Sequence, residues 1–168
     1  MDIEIRAAEP GEYAAIGEIT AQAYLLDGLL VFGGSDWYLG ELRDVAKRAA
    51  AADVLVATLG GDPVGTVTYV SPAGGPMAER ARPEEAEIRM LAVARAARGR
   101  GAGEALVRAC VERARATEGC TGLVLSTQPV MHAARRIYER LGFVRAPERD
   151  WRPIEGDDFT LVTYELTF

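Results

Sequence analysis

Residues 87–106 decide how this chain is read: Glu87-Ile88-Arg89-Met90-Leu91-Ala92-Val93, then, after four residues, Arg98-Gly99-Arg100-Gly101-Ala102-Gly103-Glu104-Ala105-Leu106. The first seven read as a central strand. The residues from Gly101 to Thr117 read as a helix, with Leu106, Val107, Cys110, Val111 and Ala114 on one face. Glycines therefore sit where a strand hands over to a helix. The first N–H groups of a helix have no intrahelical partners, and the helix dipole adds partial positive charge there. Glycine lets the backbone take positive φ and lie close to a bulky anion. Arg98 and Arg100 add formal charge beside it. The stretch predicts a phosphate site. A dinucleotide fingerprint starting at Gly99 would need a glycine at position 104, which is Glu104, and the only lysine, Lys47, follows Ala46, so no Walker A loop exists.

Charge supports the same place. The chain has 25 acids against 19 bases, net −6, which disfavours nucleic acid as a partner. Residues 89–140, however, hold 10 bases and 4 acids, whereas residues 1–85 hold 6 bases and 14 acids. The middle of the chain is a positive island in an acidic protein, suited to an anionic ligand. The length of 168 residues suits a single domain over 1–168, and 49% hydrophobic residues suffice for a core. No apolar run approaches the roughly 18 residues of a membrane span. The acidic, alternating start Met1-Asp2-Ile3-Glu4-Ile5-Arg6 is unlike a signal or transit peptide, so a cytoplasmic protein with no membrane partner is expected. Two cysteines, Cys110 and Cys120, and one histidine, His132, point to neither a disulfide scaffold nor a metal site.

Outward from the centre, Ile3 and Ile5 alternate as in a strand, and Tyr13, Ile16, Ile19, Ala23 and Tyr24 recur at helical spacing over about 11–25. Residues 36–52 read as a second helix, 54–58 and 64–70 as strands turned by Gly60-Gly61-Asp62-Pro63, and 71–85 as an irregular loop. Residues 123–126 read as a buried strand, 130–141 as a helix ended by Gly142, and 143–145 and 159–166 as strands. The order β-α-α-β-β-β-α-β-α-β-β predicts an α/β (α+β-like) mixed sheet with helices on both faces.

Two motifs carry a resemblance. The spacing Arg98-x-x-Gly101-x-Gly103 after a strand, and Ala134-Arg135-Arg136-Ile137-Tyr138-Glu139-Arg140-Leu141-Gly142-Phe143 near the end, resemble the acyl-CoA loop and the second motif of the GNAT superfamily of acyl-CoA-dependent N-acetyltransferases. The resemblance covers nearly the whole chain. It implies a GNAT-like, mostly antiparallel central sheet and acetyl-CoA as co-substrate, with no metal. It further implies that the amides of Gly99, Arg100, Gly101, Ala102, Gly103 and Glu104 bind the pyrophosphate, beside Arg98. The strand residues Leu91, Ala92 and Val93 would pair with the pantetheine arm, and the Leu91 N–H would polarise the acetyl carbonyl. Where the family often has an asparagine seven residues before the tyrosine, this chain has Met131.

Acyl transfer to an amine needs the neutral amine, and an amine of pKa near 10.4 is neutral in only about one molecule per few thousand at pH 7. A base therefore helps. Glu87, in the Ala-Glu-Ile pattern where some family members place theirs, is the expected base; a strand carboxylate paired with Arg89 or Arg95 is the other reading. Tyr138, at the family's tyrosine, is the expected acid for the departing thiolate; its place on the stripe Met131, Ala134, Tyr138, Leu141 also suits a core residue. Arg135 and Arg136 could reach the CoA phosphates; solvated helix arginines are the other reading. His132 reads as a first-turn surface residue, and Cys110, Cys120 and Ser126 lack partners for nucleophilic catalysis. The acceptor is expected to be a small-molecule amine held by the loops 25–38, 71–85 and 149–158, with Phe32, Trp37, Tyr38 and Trp151 as aromatic walls and Asp27, Asp36, Asp157 and Asp158 as acids. A peptide or protein amine, or acyl-CoA binding without catalysis, is the alternative. Edge strands allow a homodimer.

Overall fold

The computed structural model describes residues 2–30 and 33–168. Its strands are β1 (Ile3–Ala7), β2 (Asp53–Leu59), β3 (Asp62–Val70), β4 (Glu85–Val93), β5 (Gly122–Thr127), β6 (Val144–Arg145) and β7 (Val162–Thr167). Its helices are α1 (Tyr13–Leu26), α2 (Tyr38–Arg43), α3 (Val45–Ala51), α4 (Ala102–Ala116) and α5 (His132–Arg140). The strands form one sheet in the order β1-β2-β3-β4-β5-β7-β6. Only β4 and β5 pair in parallel, because α4 carries the chain back across the sheet between them. The other neighbours are antiparallel. Gly60 and Gly61 both take positive φ and close the β2–β3 hairpin tightly.

Alternation along the strands sorts the core into two layers. Leu55 and Ala57 of β2 pack with Leu106, Val107 and Cys110 of α4. Val54 and Val56, pointing the other way, pack with Ile16 of α1 and Val45 of α3. Helices thus cover both faces, as expected. No helix among the described residues is long and apolar enough to cross a membrane.

The expected single helix over 36–52 is instead two. At Asp44 the backbone turns to φ −85°, ψ 70°, and its carboxylate accepts the Lys47 N–H at 3.2 Å, capping α3. An aspartate side chain competes with the helix for backbone donors and restarts it in a new direction. The last strand is also shorter than expected. Asp157 takes the Phe159 N–H at 2.7 Å into a turn, and Leu161 bridges Trp151 before β7 begins.

Two irregularities in β4 open the sheet at its centre. On one side, pairing with β5 stops at Ile88 and Leu125, so Arg89–Val93 and the end of β5 diverge. On the other, Thr68 faces Arg89 while Thr66 faces Ala92, so Met90 and Leu91 bulge opposite a single residue. Met90 sits at φ +55°, which costs a non-glycine residue roughly 1–2 kcal/mol. Its side chain is buried against Ala21, Leu39 and Leu42, and that burial offsets the strain.

Candidate active site

Helix α4 begins abruptly. Gly99 and Gly101 adopt φ +81° and +84°, and Gly101 is the left-handed residue just before the first helical turn. The Gly101 carbonyl accepts the first bond, from Ala105, and none of the N–H groups from Gly99 to Glu104 donates to a protein acceptor among the described residues. Six consecutive amides are therefore unclaimed at the positive end of a 15-residue helix. Gly103 has a different task. A Cβ there would lie 3.1 Å from Ile137 Cδ1, so its lack of a side chain lets α5 approach α4.

The arginines near this loop are not simply aimed at it. Arg98 grips both oxygens of Asp27 at the end of α1 (3.0 and 2.7 Å), and Arg95 reaches the same carboxylate at 3.1 Å. The Arg98 contact, with Arg95 adding to it, holds the Asp27 carboxyl below the usual range. Glu104 is held by Arg140 (2.9 Å) and Arg108 (3.3 Å), which neutralise its charge at the helix start. Arg135 donates to the Tyr164 hydroxyl and the Pro129 carbonyl.

From this loop the opened edge of β4 leads into a cavity of about 220 Å³. Ile88, Met90 and Leu91 from β4, Ser126 and Thr127 from β5, Met131 just before α5 and Tyr138 within it form its inner part. The Tyr138 ring is buried and lies 5.9 Å from both Phe143 and Tyr164. Its hydroxyl has no hydrogen-bond partner among the described residues. Burial pushes its pKa above the ordinary tyrosine value, so it remains a proton donor. The Met131 sulfur accepts the Thr127 hydroxyl at 3.4 Å.

The outer part is built by all three expected loops. Leu29, Leu30, Trp37 and Tyr38 come from the first, Glu79 from the second, and Trp151, Pro153 and Ile154 from the third, with Phe159 just beyond it. Phe32 lies outside the described residues. Asp27 and Asp157 instead serve Arg98 and the Phe159 turn, and Asp158 is fully exposed beside Arg152.

Glu87 faces this cavity, and neither Arg89 nor Arg95 is its partner. Its Oε1 accepts the N–H groups of Glu79, Arg80 and Ala81 at 2.8, 3.1 and 3.2 Å, and Oε2 has only a 3.3 Å contact with Arg80 N–H. The carboxylate thereby pins the loop that carries Glu79. Glu79 is the residue that sequence reasoning missed. It lines the cavity with 35% of its side chain exposed, bonded to Arg89 Nε at 2.9 Å. Burial pushes its pKa above the usual carboxylate range; neighbouring Glu87 adds to this, and Arg89 opposes it. Nothing local marks Glu79 in the sequence, since it sits in an irregular loop with no periodicity. A second clamp holds the same loops. Arg149 binds Glu85 (2.8 and 3.0 Å), Glu165 (3.0 Å) and the Arg80 carbonyl (2.9 Å). Cys110 is buried and pushed up to about 12, so it is inert, and His132 is an exposed first-turn residue of α5.

The sequence model of the Acetyltransferase (GNAT) family matches residues 23–143, which span both motifs and the opened strand. The chain belongs to this family. Its fold agrees with solved GNAT structures. The putative acetyltransferase yncA of Salmonella typhimurium, solved with acetyl-CoA, is 21% identical, with a TM-score of 0.73 over 98% of this chain and 93% of that one. The ribosomal-protein-alanine N-acetyltransferase of Brucella melitensis is likewise 21% identical, with a TM-score of 0.73 over 98% and 99%. The paia N-acetyltransferase of Thermoplasma acidophilum, solved with coenzyme A, is 13% identical with the same TM-score over the full length of both. At these identities the likeness is one of fold. Among curated proteins no sequence match is found.

Proposed function

We propose that this GNAT protein transfers an acetyl group from acetyl-CoA to the amine of a small molecule, with both bound at once and the amine attacking directly. The observation that carries this reading is the run of six unclaimed amides, Gly99 to Glu104, in line with the unpaired edge of β4. Those amides suit a pyrophosphate, since oriented N–H groups and a helix N-terminus favour a doubly charged anion without needing a cationic side chain. Arg100, exposed and without a partner among the described residues, adds charge there, and Arg98 does so from its bridge to Asp27. Main-chain groups of Leu91, Ala92 and Val93 are the ones that would hold the pantetheine arm.

Acetyl-CoA supplies an activated thioester. The chain supplies the rest. Leu91 lies in the bulge, where it and Met90 together face Val67, and its N–H is the donor for the carbonyl oxygen on which negative charge develops. One such donor is worth about 3–4 kcal/mol in comparable sites. Glu87 accepts the amine proton through its less occupied oxygen, Oε2, and Glu79 stands beside it as a second carboxylate on the same wall. Tyr138 donates a hydrogen bond to the departing sulfur. The cytoplasm, with neither nucleic acid nor membrane as a partner, is the setting this reading assumes.

Calorimetry with coenzyme A and acetyl-CoA, followed by thiol release with a panel of amines, tests the proposal. Micromolar binding and amine-dependent thiol release are expected. Absence of binding refutes the site, and binding without thiol release from any amine refutes the catalytic reading.

A further inference from the structure

We propose that the acceptor is an arylalkylamine lacking a carboxylate: an aromatic ring on a short arm ending in a primary amine. This deepens the acetyl-transfer reading and rests on it. The walls of the outer cavity argue for the ring. The chain has two tryptophans, and both line this cavity. The Trp151 indole N–H is fixed on Ser126 Oγ at 2.9 Å, and the Arg80 guanidinium lies 5.0 Å from the ring centre. Trp151 forms part of the cavity wall and Arg80 does not. Trp37, also on the lining, stands 66% exposed, edge-on to Tyr38 at 5.5 Å. A large aromatic side chain left in water beside an apolar cavity is the kind of surface a ligand covers. Phe159, Ile154 and Leu30 complete an apolar lining. The volume is also suitable. An apolar cavity of about 150 Å³ accepts benzene, so about 220 Å³ holds a ring, a short arm and the acetyl end.

Charge argues for the amine and against a carboxylate. The ionisable acids and bases on the walls are Asp36, Glu79, Glu87 and Arg89, three acids against one base. That base is fully engaged. Arg89 Nε bonds Glu79 at 2.9 Å, one terminal nitrogen donates to the Met77 carbonyl at 3.2 Å, and the other to the Tyr38 hydroxyl at 3.3 Å. Arg48, the other buried cation nearby, bonds the Glu41 and Leu42 carbonyls and is no part of the walls. A carboxylate on the acceptor would meet Glu79 and Glu87, whereas an ammonium is drawn towards them and towards the aromatic faces.

Matched pairs differing only in the carboxylate test this: 2-phenylethylamine against L-phenylalanine, and tryptamine against L-tryptophan, with spermidine as a non-aromatic amine. With acetyl-CoA, thiol release should give each arylalkylamine a kcat/KM at least tenfold above its amino acid and above spermidine. Because both tryptophans line the cavity, intrinsic fluorescence reads binding without turnover. With coenzyme A present, 2-phenylethylamine should cause a saturable change that L-phenylalanine at equal concentration does not. Trp37→Ala should weaken that binding at least fivefold while leaving coenzyme A affinity unchanged. Equal or better use of the amino acids or of spermidine, or no fluorescence response to 2-phenylethylamine, overturns the proposal while leaving acetyl transfer standing. Fluorescence saturation without thiol release from any amine supports the acceptor class and refutes the catalytic reading instead.

Discussion

Tyr138→Phe separates a proton donor from a core residue. The substitution keeps the ring, which packs 5.9 Å from Phe143 and Tyr164, and removes only a hydroxyl that bonds to nothing in the described protein. Stability should therefore change by less than about 0.5 kcal/mol, with no measurable loss of coenzyme A affinity. In the reaction the hydroxyl would donate to a sulfur taking up a full negative charge. Hydrogen bonds to charged acceptors are worth about 1.5–3 kcal/mol, so kcat should fall about 10- to 150-fold. Burial holds the Tyr138 pKa above the ordinary tyrosine value, so the wild-type rate should show no decline from this group up to at least about pH 10. A second acyl donor sharpens the test. An acetyl thioester of a more acidic thiol leaves with less help, and the Phe variant should recover most of its rate with it. Thiol release under saturating amine is the assay, with thermal melting as the control. An unchanged kcat, or an equal loss with both acyl donors, would refute the role of the hydroxyl.

Gly101→Ala forces an alanine to φ +84° with no neighbour within 4 Å, so the cost is one of backbone conformation, about 1–2 kcal/mol; calorimetry should show coenzyme A binding about 5- to 30-fold weaker, with the melting temperature lower by only a few degrees. Glu79 attracts the acceptor's ammonium only when ionised, and burial raises its pKa, so kcat/KM should fall on an acid limb lying above the usual carboxylate range; Glu79→Gln should lose about tenfold in kcat/KM and flatten that limb, as read from pH–rate profiles, whereas loss of the base itself, Glu87→Gln, should lower kcat by about 100-fold. Glu12 takes two 2.8 Å bonds from Arg6 and one from the Glu9 N–H, which lower its pKa to about 2. A lowered folded pKa contributes stability above the ordinary value of about 4.3 that is lost as pH falls towards 2, so Glu12→Gln should cost about 1 kcal/mol at pH 7, after allowing for screening at the part-exposed arginine, and nothing near pH 2 in denaturant melts.

How much of the site could be read in advance depended on whether its parts are neighbours in the chain. The Gly99–Glu104 cradle, Leu91 and Tyr138 lie within local patterns; Leu91 and Tyr138 line the cavity, and the cradle follows β4 in the chain. The positions of the three acceptor loops also followed from element order. Glu79 was hidden because its importance depends on Glu87 drawing three amides of an irregular loop against β4. The bridge from Asp27 to Arg98 joins residues 71 apart and has no local signature. The break of the 36–52 segment turned on one aspartate satisfying a backbone donor, a choice that helical periodicity does not register.

By itself, the amino-acid order determined the alternation of strands and helices, the two-layered core, and the glycine-opened start of α4, because each depends on side-chain periodicity or backbone freedom over a few residues. Only the tertiary structure decided where β4 parts from β5, which carboxylates share the cavity, and that Arg89 is already engaged. Those features arise from groups far apart in the chain competing for the same hydrogen bonds and the same buried volume, and such competition exists only once the sheet has closed around them.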